Sequence, residues 1–87
     1  MQKQQPERDM KIEIITPEST LFEGEGSYVA LPGSDGGIGI LDRHAPLISS
    51  LKAGTLKVKD KTGKEHRFEV KGGTVEVSEN KVIILAE

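Results

Sequence analysis

Apolar and polar residues alternate with a period of two along much of the chain, which is typical of half-buried β-strands. In the segment 11–16, Ile12 and Ile14 fall on one face while Glu13 falls on the other. Pro17 follows directly, and proline cannot donate to a strand ladder. The pattern therefore predicts a first strand over 11–16 that ends at this proline.

Two hairpins are predicted further along by the same alternation and by the turn residues between the strands. The first has Leu56, Val58, Phe68 and Val70 on its inward face. A Gly-Gly pair then turns the chain into the second hairpin. The predicted strands are 55–60 paired with 65–70 across 61–64, and 74–77 paired with 81–85 across 78–80.

A longer strand is predicted over 21–31, with a bend or bulge at Gly24 and Gly26. No segment carries a convincing helical pattern. Many short strands with turn signals between them indicate an all-β fold, an antiparallel sandwich or barrel.

Two of the predicted strand segments are apolar on both faces, namely 28–31 (YVAL) and 82–85 (VIIL). A strand in a two-layer sandwich needs only one buried face. The second apolar face indicates either a partner surface or a cover formed by loops or a third layer. The pattern leaves both open.

Composition and charge exclude several classes of partner. Twelve basic and fourteen acidic residues leave a formal charge of −2, which gives no reason to expect nucleic acid or anionic lipid. The absence of cysteine excludes disulfides and thiolate metal sites. No apolar run approaches the ~20 residues that span a bilayer.

The first nine residues are polar and carry both charges, without the apolar run of a secretory signal. We expect residues 1–9 to form a disordered extension and residues 10–87 to form one domain. A cytoplasmic protein is the default expectation.

A glycine-rich stretch, GSDGGIGILDRHAPL, covers 33–47. Its spacing loosely resembles a nucleotide fingerprint, but phosphate binding needs a helix that begins directly after the loop. Pro46 blocks an early helix here. We therefore interpret the stretch as a docking loop on a β scaffold, anchored to the sandwich by its apolar residues, Ile38, Ile40, Leu41 and Leu47.

Catalytic and metal sites receive little support. His44 would need an activated nucleophile or an orienting carboxylate, and nothing arranges the nearby Asp35, Asp42, Ser49 and Ser50 as a set. A histidine in such a loop usually bonds local backbone. His66 shares inward parity with Phe68 and is expected at the edge of the core. The two histidines lack a ligand pattern, so no metal site, catalytic residue or cofactor is predicted.

Several blocks together resemble a known family. They are ITPESTLFEGE (15–25), ALPGSDGGIGILDRHAPL (30–47), LKAGTLKV (51–58) and GGTVEVSENKVIILAE (72–87). In this order and spacing they resemble the N-terminal domain of the epsilon subunit of F-type ATP synthases. The resemblance runs from about Met10 to Glu87 and stops short of the C-terminal helical hairpin that inhibits ATP hydrolysis in the family.

The resemblance implies a flattened antiparallel β-sandwich of about eight to ten short strands in the central stalk, or rotor. It implies a non-catalytic subunit of a proton-translocating enzyme that links the gamma subunit to the polar loops of the c-subunit ring. It also implies a peripheral place on the cytoplasmic side of a bacterial inner membrane, without lipid insertion. The residues that it assigns to the ring-facing end are Ser34, Asp35, Gly36, Gly37, Asp42, Arg43 and His44.

Two positions depart from the family pattern. Members often have an acidic residue where this chain has Gly37, so we expect Asp35 to carry that contact. Many members have Pro-Gly where Asp42 and Arg43 stand. No individual gamma contact is assigned to this sequence. The rival interpretation from the residues alone is a generic β-sandwich that binds protein or glycan, although the near absence of aromatics disfavours glycan.

Overall fold

The computed structural model describes residues 9–87, and these form eight β-strands without a helix. The predicted extension 1–9 lies outside the described residues except for Asp9. The strands are β1 (Met10–Ile15), β2 (Thr20–Gly33), β3 (Gly36–Leu41), β4 (Leu47–Leu51), β5 (Gly54–Asp60), β6 (Glu65–Val70), β7 (Gly73–Ser78) and β8 (Lys81–Ala86).

The strands follow the order β1-β8-β7-β4-β2-β5-β6, and β3 adds to β2. The long strand β2 joins the two layers, because its first half pairs with β1 and its second half pairs with β3 and β5. Every pairing among the described strands is antiparallel except β1 with β8. The predicted all-β sandwich and its strand number are confirmed.

One apolar core lies between the layers, and every strand contributes to it. Its members alternate along their strands with residues that face outward, as the period of two predicts. No polar side chain among the described residues is fully buried. The core residues are Met10, Ile12, Ile14, Val29, Leu31, Ile40, Leu51, Leu56, Val58, Val70, Val75, Val77, Val82, Ile84 and Ala86.

The two predicted hairpins are present almost within their predicted bounds, as β5–β6 and β7–β8. The interpretation of 33–47 as one loop is wrong, because this stretch contains the whole of β3 and the start of β4. The expected anchoring by Leu41 is also wrong. Leu41 points to the opposite side of β3 from its buried neighbour Ile40, and 61% of Leu41 is exposed.

The loop between β5 and β6 is organised by one carboxylate. Asp60 Oδ1 accepts hydrogen bonds from the backbone and hydroxyl of Thr62 and from the backbone of Lys64, and Asp60 Oδ2 lies 2.8 Å from His66 Nε2. His66 is half-buried and packs against Phe22, with 5.2 Å between ring centroids. This confirms its predicted place at the edge of the core.

The stability of the domain is expected to fall in acid because of Asp60. The Thr62 hydroxyl, and after it His66, hold the pKa of the Asp60 carboxyl well below its ordinary value of 3.8. A carboxyl with a lowered folded-state pKa stabilises the fold fully above its unfolded pKa and less as the pH falls below it. Urea denaturation between pH 7 and pH 2 should show this loss beginning near pH 4, and Asp60→Asn should flatten it. Parallel profiles for the wild type and Asp60→Asn would contradict the assignment.

The described residues contain no helix with the length and hydropathy needed to cross a bilayer.

Candidate docking surfaces

The first half of the glycine-rich stretch forms the turn between β2 and β3. Gly33 pairs with Gly36, so Ser34 and Asp35 form the tip. Both tip residues are exposed, and the Ser34 hydroxyl lies 2.8 Å from the hydroxyl of Ser50 at the end of β4. The backbone N–H of Ser34 also donates to the Ser50 carbonyl at 3.0 Å. The tip of the turn is therefore polar and exposed, and two hydrogen bonds hold it to β4.

Glycine is required at both flanks of this turn for different reasons. A Cβ on the buried Gly33 would lie 2.5 Å from the Gly36 carbonyl oxygen and 2.6 Å from Ile38 Cδ1. Gly36 has a φ of 132°, which side-chain-bearing residues rarely adopt. Two of the clustered glycines thus form the turn, and they do not form a phosphate cradle.

The second half of the stretch, Asp42 to His44, forms the turn after β3. The Arg43 backbone has a φ of 64°, an uncommon conformation for a residue with a side chain. Its N–H donates to Asn80 Oδ1 at 2.7 Å, and Asn80 Nδ2 donates to Asp42 Oδ1 at 2.8 Å. The Arg43 guanidinium also lies 3.5 Å from Asp42 Oδ2. The side chain of Asn80, in the β7–β8 turn, therefore binds this segment through both ends of its amide group; we call these two hydrogen bonds the clasp.

Sequence reasoning missed Asn80, which it placed only in a hairpin turn. Glu79 and Asn80 have φ values of 51° and 60°, as the two central residues of a type I′ turn require. The preference of asparagine for this turn explains its local role. Its contacts to Asp42 and Arg43 span 38 and 37 positions along the chain, and no local pattern predicts them.

Asn80→Gly is expected to lower the free energy of unfolding by about 1–2 kcal/mol, because glycine keeps the turn but loses the side-chain hydrogen bonds. Glu79→Gly is the matched control, since it makes the same change at a neighbouring positive φ where no side-chain bond is formed. Urea denaturation of both variants measures the difference. Equal stabilities would show that the clasp contributes nothing.

The two histidines and the nearby serines have local partners. His44 Nδ1 lies 2.7 Å from the Ala45 carbonyl oxygen, which confirms the predicted bond to local backbone. The backbone N–H of His44 also donates to the Leu41 carbonyl. Ser49 donates to a backbone carbonyl at 3.1 Å. No cluster of three His, Cys, Asp or Glu side chains that could hold a metal occurs among residues 9–87.

The structure does not bring the two halves of the predicted ring-facing set together. Ser34, Asp35, Gly36 and Gly37 lie at the beginning of β3, whereas Asp42, Arg43 and His44 follow its end. A six-residue strand is roughly 17–20 Å long. One partner surface can contact both halves only if it also runs along β3.

An apolar patch occupies the outward side of the layer formed by β4, β7, β8 and β1. Ile48 is 77% exposed and Leu85 53% exposed, and Ile83 and Ile15 are half-buried on the same side of the layer. Ile48 and Ile83 flank Glu76 on either side in the same row, and Leu85 pairs with Ile15. No element among the described residues covers Leu85 or Ile48. We call these four residues the apolar patch.

The other strand with two apolar faces is less open. Tyr28 lies beside Leu41 on the outward side of β2 and β3, and 37% of Tyr28 is exposed. Its ring covers Gly39, where an added Cβ would lie 3.1 Å from the Tyr28 hydroxyl. Ala30 is half-buried. This side therefore contributes a small apolar area next to an edge strand.

The chain is similar in sequence to ATP synthase epsilon chains. The model of the family "ATP synthase, Delta/Epsilon chain, beta-sandwich domain" matches residues 9–87. The ATP synthase epsilon chain of Desulforamulus reducens is 41% identical over 80 residues, which cover 92% of this chain and 60% of that protein. The ATP synthase epsilon chain of Desulfitobacterium hafniense is 45% identical over 76 residues, 87% of this chain and 57% of that protein.

Two solved assemblies contain chains with the same fold. One is the Euglena gracilis mitochondrial ATP synthase (OSCP/F1/c-ring), with a TM-score of 0.84 and 19% identity over 90% of this chain and 50% of that chain. The other is the central stalk and c-ring of the Tetrahymena thermophila mitochondrial ATP synthase, with a TM-score of 0.73 and 21% identity over 88% of this chain and 62% of that chain.

The chain spans about 60% of the length of the curated relatives named above. The family model covers all of the described residues, and the eight-stranded sandwich agrees with it. This protein belongs to the family of ATP synthase delta/epsilon chain beta-sandwich domains.

Proposed function

We propose that this chain is a non-catalytic rotor component of an F-type ATP synthase, which links the gamma subunit to the c-subunit ring and couples rotation to ATP synthesis. The observation that carries the proposal is the exposed apolar patch on a member of this family. Large apolar side chains that are grouped and exposed on one side of a small domain favour an interaction site there. The domain offers this patch on one side and polar turns at the two ends of β3.

The apolar patch is the proposed contact with the gamma subunit. Binding there would remove the exposed apolar surface of Ile48 and Leu85 from water. Each Å² of apolar surface removed contributes about 25 cal/mol to the free energy of binding. Glu76 lies among the apolar residues and is exposed, so a basic group on the partner would match it. The expected interface is an apolar centre with a polar rim.

The ring-facing contact is proposed for the two turns that flank β3. Asp35 and Arg43 are exposed and bring one negative and one positive charge, and Asn80 holds the second turn in place. Polar loops are suitable partners for such groups because they can accept and donate hydrogen bonds. The full set is Ser34, Asp35, Gly36, Gly37, Asp42, Arg43 and His44.

A mechanical role also fits the chemistry of the chain. The His44 ring is engaged by backbone and the His66 ring by Asp60, so neither is arranged beside a nucleophile. We assign no cofactor, nucleic acid or inserted lipid to the chain. Its proposed place is peripheral, on the cytoplasmic side of a bacterial inner membrane, where the gamma subunit and the ring are its partners.

Asp35→Ala and Arg43→Ala are expected to leave the free energy of unfolding within about 0.5 kcal/mol of the wild type, since both side chains are exposed. Each should weaken attachment to the purified ring by about three- to tenfold, the range of one polar contact. Lys64→Ala, in the exposed β5–β6 loop, is the control and should change neither quantity.

His44→Ala belongs in the same series. If it costs more than about 2 kcal/mol of stability, the histidine is a structural residue and leaves the ring-facing set. If all three ring-facing variants attach as tightly as the control, the ring contact lies elsewhere on the domain.

A further inference from the structure

β3 is an edge strand. Among the described residues it pairs with β2 on one side and with no strand on the other. Edge strands present unpaired backbone groups and are usually shielded by charged side chains. The other edge, β6, carries Glu65, Arg67 and Glu69 as exposed residues, whereas β3 (GGIGIL) carries no charge.

One hydrogen bond establishes which backbone groups of β3 face outward. The Pro32 carbonyl accepts from the Lys52 N–H at 2.9 Å, so the backbone of Pro32 points away from β3. Pro32 is paired with Gly37. Since the pairs of an antiparallel ladder alternate between bonded and non-bonded, Gly37 belongs to a non-bonded pair and its own groups point to the open side.

The same alternation applies two and four residues further on, because the β2–β3 register contains no shift. The groups on the open side are the N–H and C=O of Gly37 and Gly39 and the N–H of Leu41. The Leu41 carbonyl already accepts from the His44 N–H at 3.1 Å. The side chains of Ile38 and Ile40 point into the core, so they do not cover these outward backbone groups.

We propose that this free backbone edge of β3 is itself the ring contact, and that the polar loops of the c-subunit ring hydrogen-bond to it. The identity of the partner rests on the proposed function. We infer the ring as the partner because the edge of β3 is continuous with the two turns that are assigned to the ring. A partner that contacts Asp35 at one end and Arg43 at the other must pass along the N–H and C=O groups between them.

The missing side chains support this occupant. Gly37 and Gly39 are exposed, and an added Cβ at Gly37 would contact nothing closer than 4.0 Å. A loop of a partner can therefore reach the backbone of Gly37 without displacing protein atoms. Contacts to the main chain depend little on the identity of side chains, so an acidic residue at position 37 is not needed for attachment.

Amide hydrogen exchange of the whole chain, alone and bound to purified gamma subunit and ring, tests the inference. In the free chain, the N–H groups of Gly37, Gly39 and Leu41 should exchange fast. Those of Ile38 and Ile40, which bond β2, should exchange slowly and serve as internal controls. Binding should slow the first three by about tenfold or more, equivalent to about 1.4 kcal/mol.

A matched pair of variants tests the same point by affinity. Gly37→Pro removes one outward N–H at an edge position that tolerates proline, and Gly37→Ala keeps that N–H. Both variants add side-chain atoms at the same position, so Gly37→Pro should attach to the ring about tenfold more weakly than Gly37→Ala, which retains the N–H. Equal affinities for the two variants would overturn the inference, and the exchange measurement needs no variant to fold.

The outcomes separate the two levels of the proposal. A bound complex with unchanged exchange at Gly37, Gly39 and Leu41 overturns the edge contact and leaves the proposed function standing. Failure to bind gamma subunit and ring at all overturns both. Concentration-dependent protection of these amides in the chain alone would make a second copy the occupant and would overturn the assignment to the ring.

Discussion

Gly73→Ala is expected to lower the free energy of unfolding by about 2–4 kcal/mol. Gly73 begins β7 with a φ of 138°, which side-chain-bearing residues rarely adopt. An added Cβ would overlap the Leu85 carbonyl oxygen and lie 3.0 Å from Ala86 Cα, and backbone atoms cannot rotate out of the way. The substitution therefore forces β7 and β8 apart where they pair at Gly73 and Ala86.

Urea denaturation at pH 7 measures this loss, with Gly37→Ala as the matched control. Gly37 has no positive φ and no close neighbour, so its variant should stay within about 0.5 kcal/mol of the wild type. If Gly73→Ala were as stable as Gly37→Ala, the β7–β8 pairing described here would be incorrect at this end.

The double variant Ile48→Asp/Leu85→Asp is expected to reduce affinity for the gamma subunit by about 100-fold or more. Residues at the centre of an interface contribute about 2 kcal/mol or more, and a carboxylate buried without a partner adds a desolvation cost. Both positions are exposed in the isolated domain, so its stability should change little. Binding to purified gamma subunit by calorimetry gives the affinity, and urea denaturation gives the stability.

Arg67→Asp is the control because it changes the net charge by −2, as the double variant does. Arg67 lies on the exposed face of β6, away from the apolar patch. It should bind the gamma subunit with the wild-type affinity. An equal loss for the control would assign the effect to net charge, and unchanged binding by the double variant would remove the apolar patch from the interface.

Strands whose apolar residues alternate with charged ones could be predicted from the sequence. In β5 and β6 every outward position between the turns is polar, so the inward set was evident, and the predicted segments 55–60 and 65–70 agree with Gly54–Asp60 and Glu65–Val70. The loop residues between them are typical of a hairpin. The local pattern and the tertiary structure agree there because each of these strands has one buried face and one face exposed to solvent.

β3 was missed because its outward positions are glycines. Gly37 and Gly39 alternate with Ile38 and Ile40, so the period of two was present, but glycine resembles a loop residue when it is read without its neighbours. The same error assigned Leu41 to the core, since its parity with Gly37 and Gly39 becomes evident only once β3 is recognised as a strand.

The arrangement of the candidate site depends on contacts between distant parts of the chain. Asn80 reaches Asp42 and Arg43 because the β7–β8 turn lies beside the end of β3, and Ser50 reaches Ser34 because β4 ends beside the β2–β3 turn. These relations follow from the strand order. The sequence motif supplied the residues and the structure separated them into two turns joined by an open edge.

Photo-cross-linking in the assembled synthase can show whether this domain lies between the gamma subunit and the ring, as we propose. The chain has no cysteine, so a single introduced thiol gives a unique attachment point for the label. With the label at Ile48→Cys we expect adducts with the gamma subunit, and with the label at Asp35→Cys we expect adducts with the ring subunit. Lys64→Cys, in the exposed β5–β6 loop, is the background control. Adducts from positions 35 and 48 to the same subunit, or yields no higher than those from position 64, would show that the domain does not lie between them.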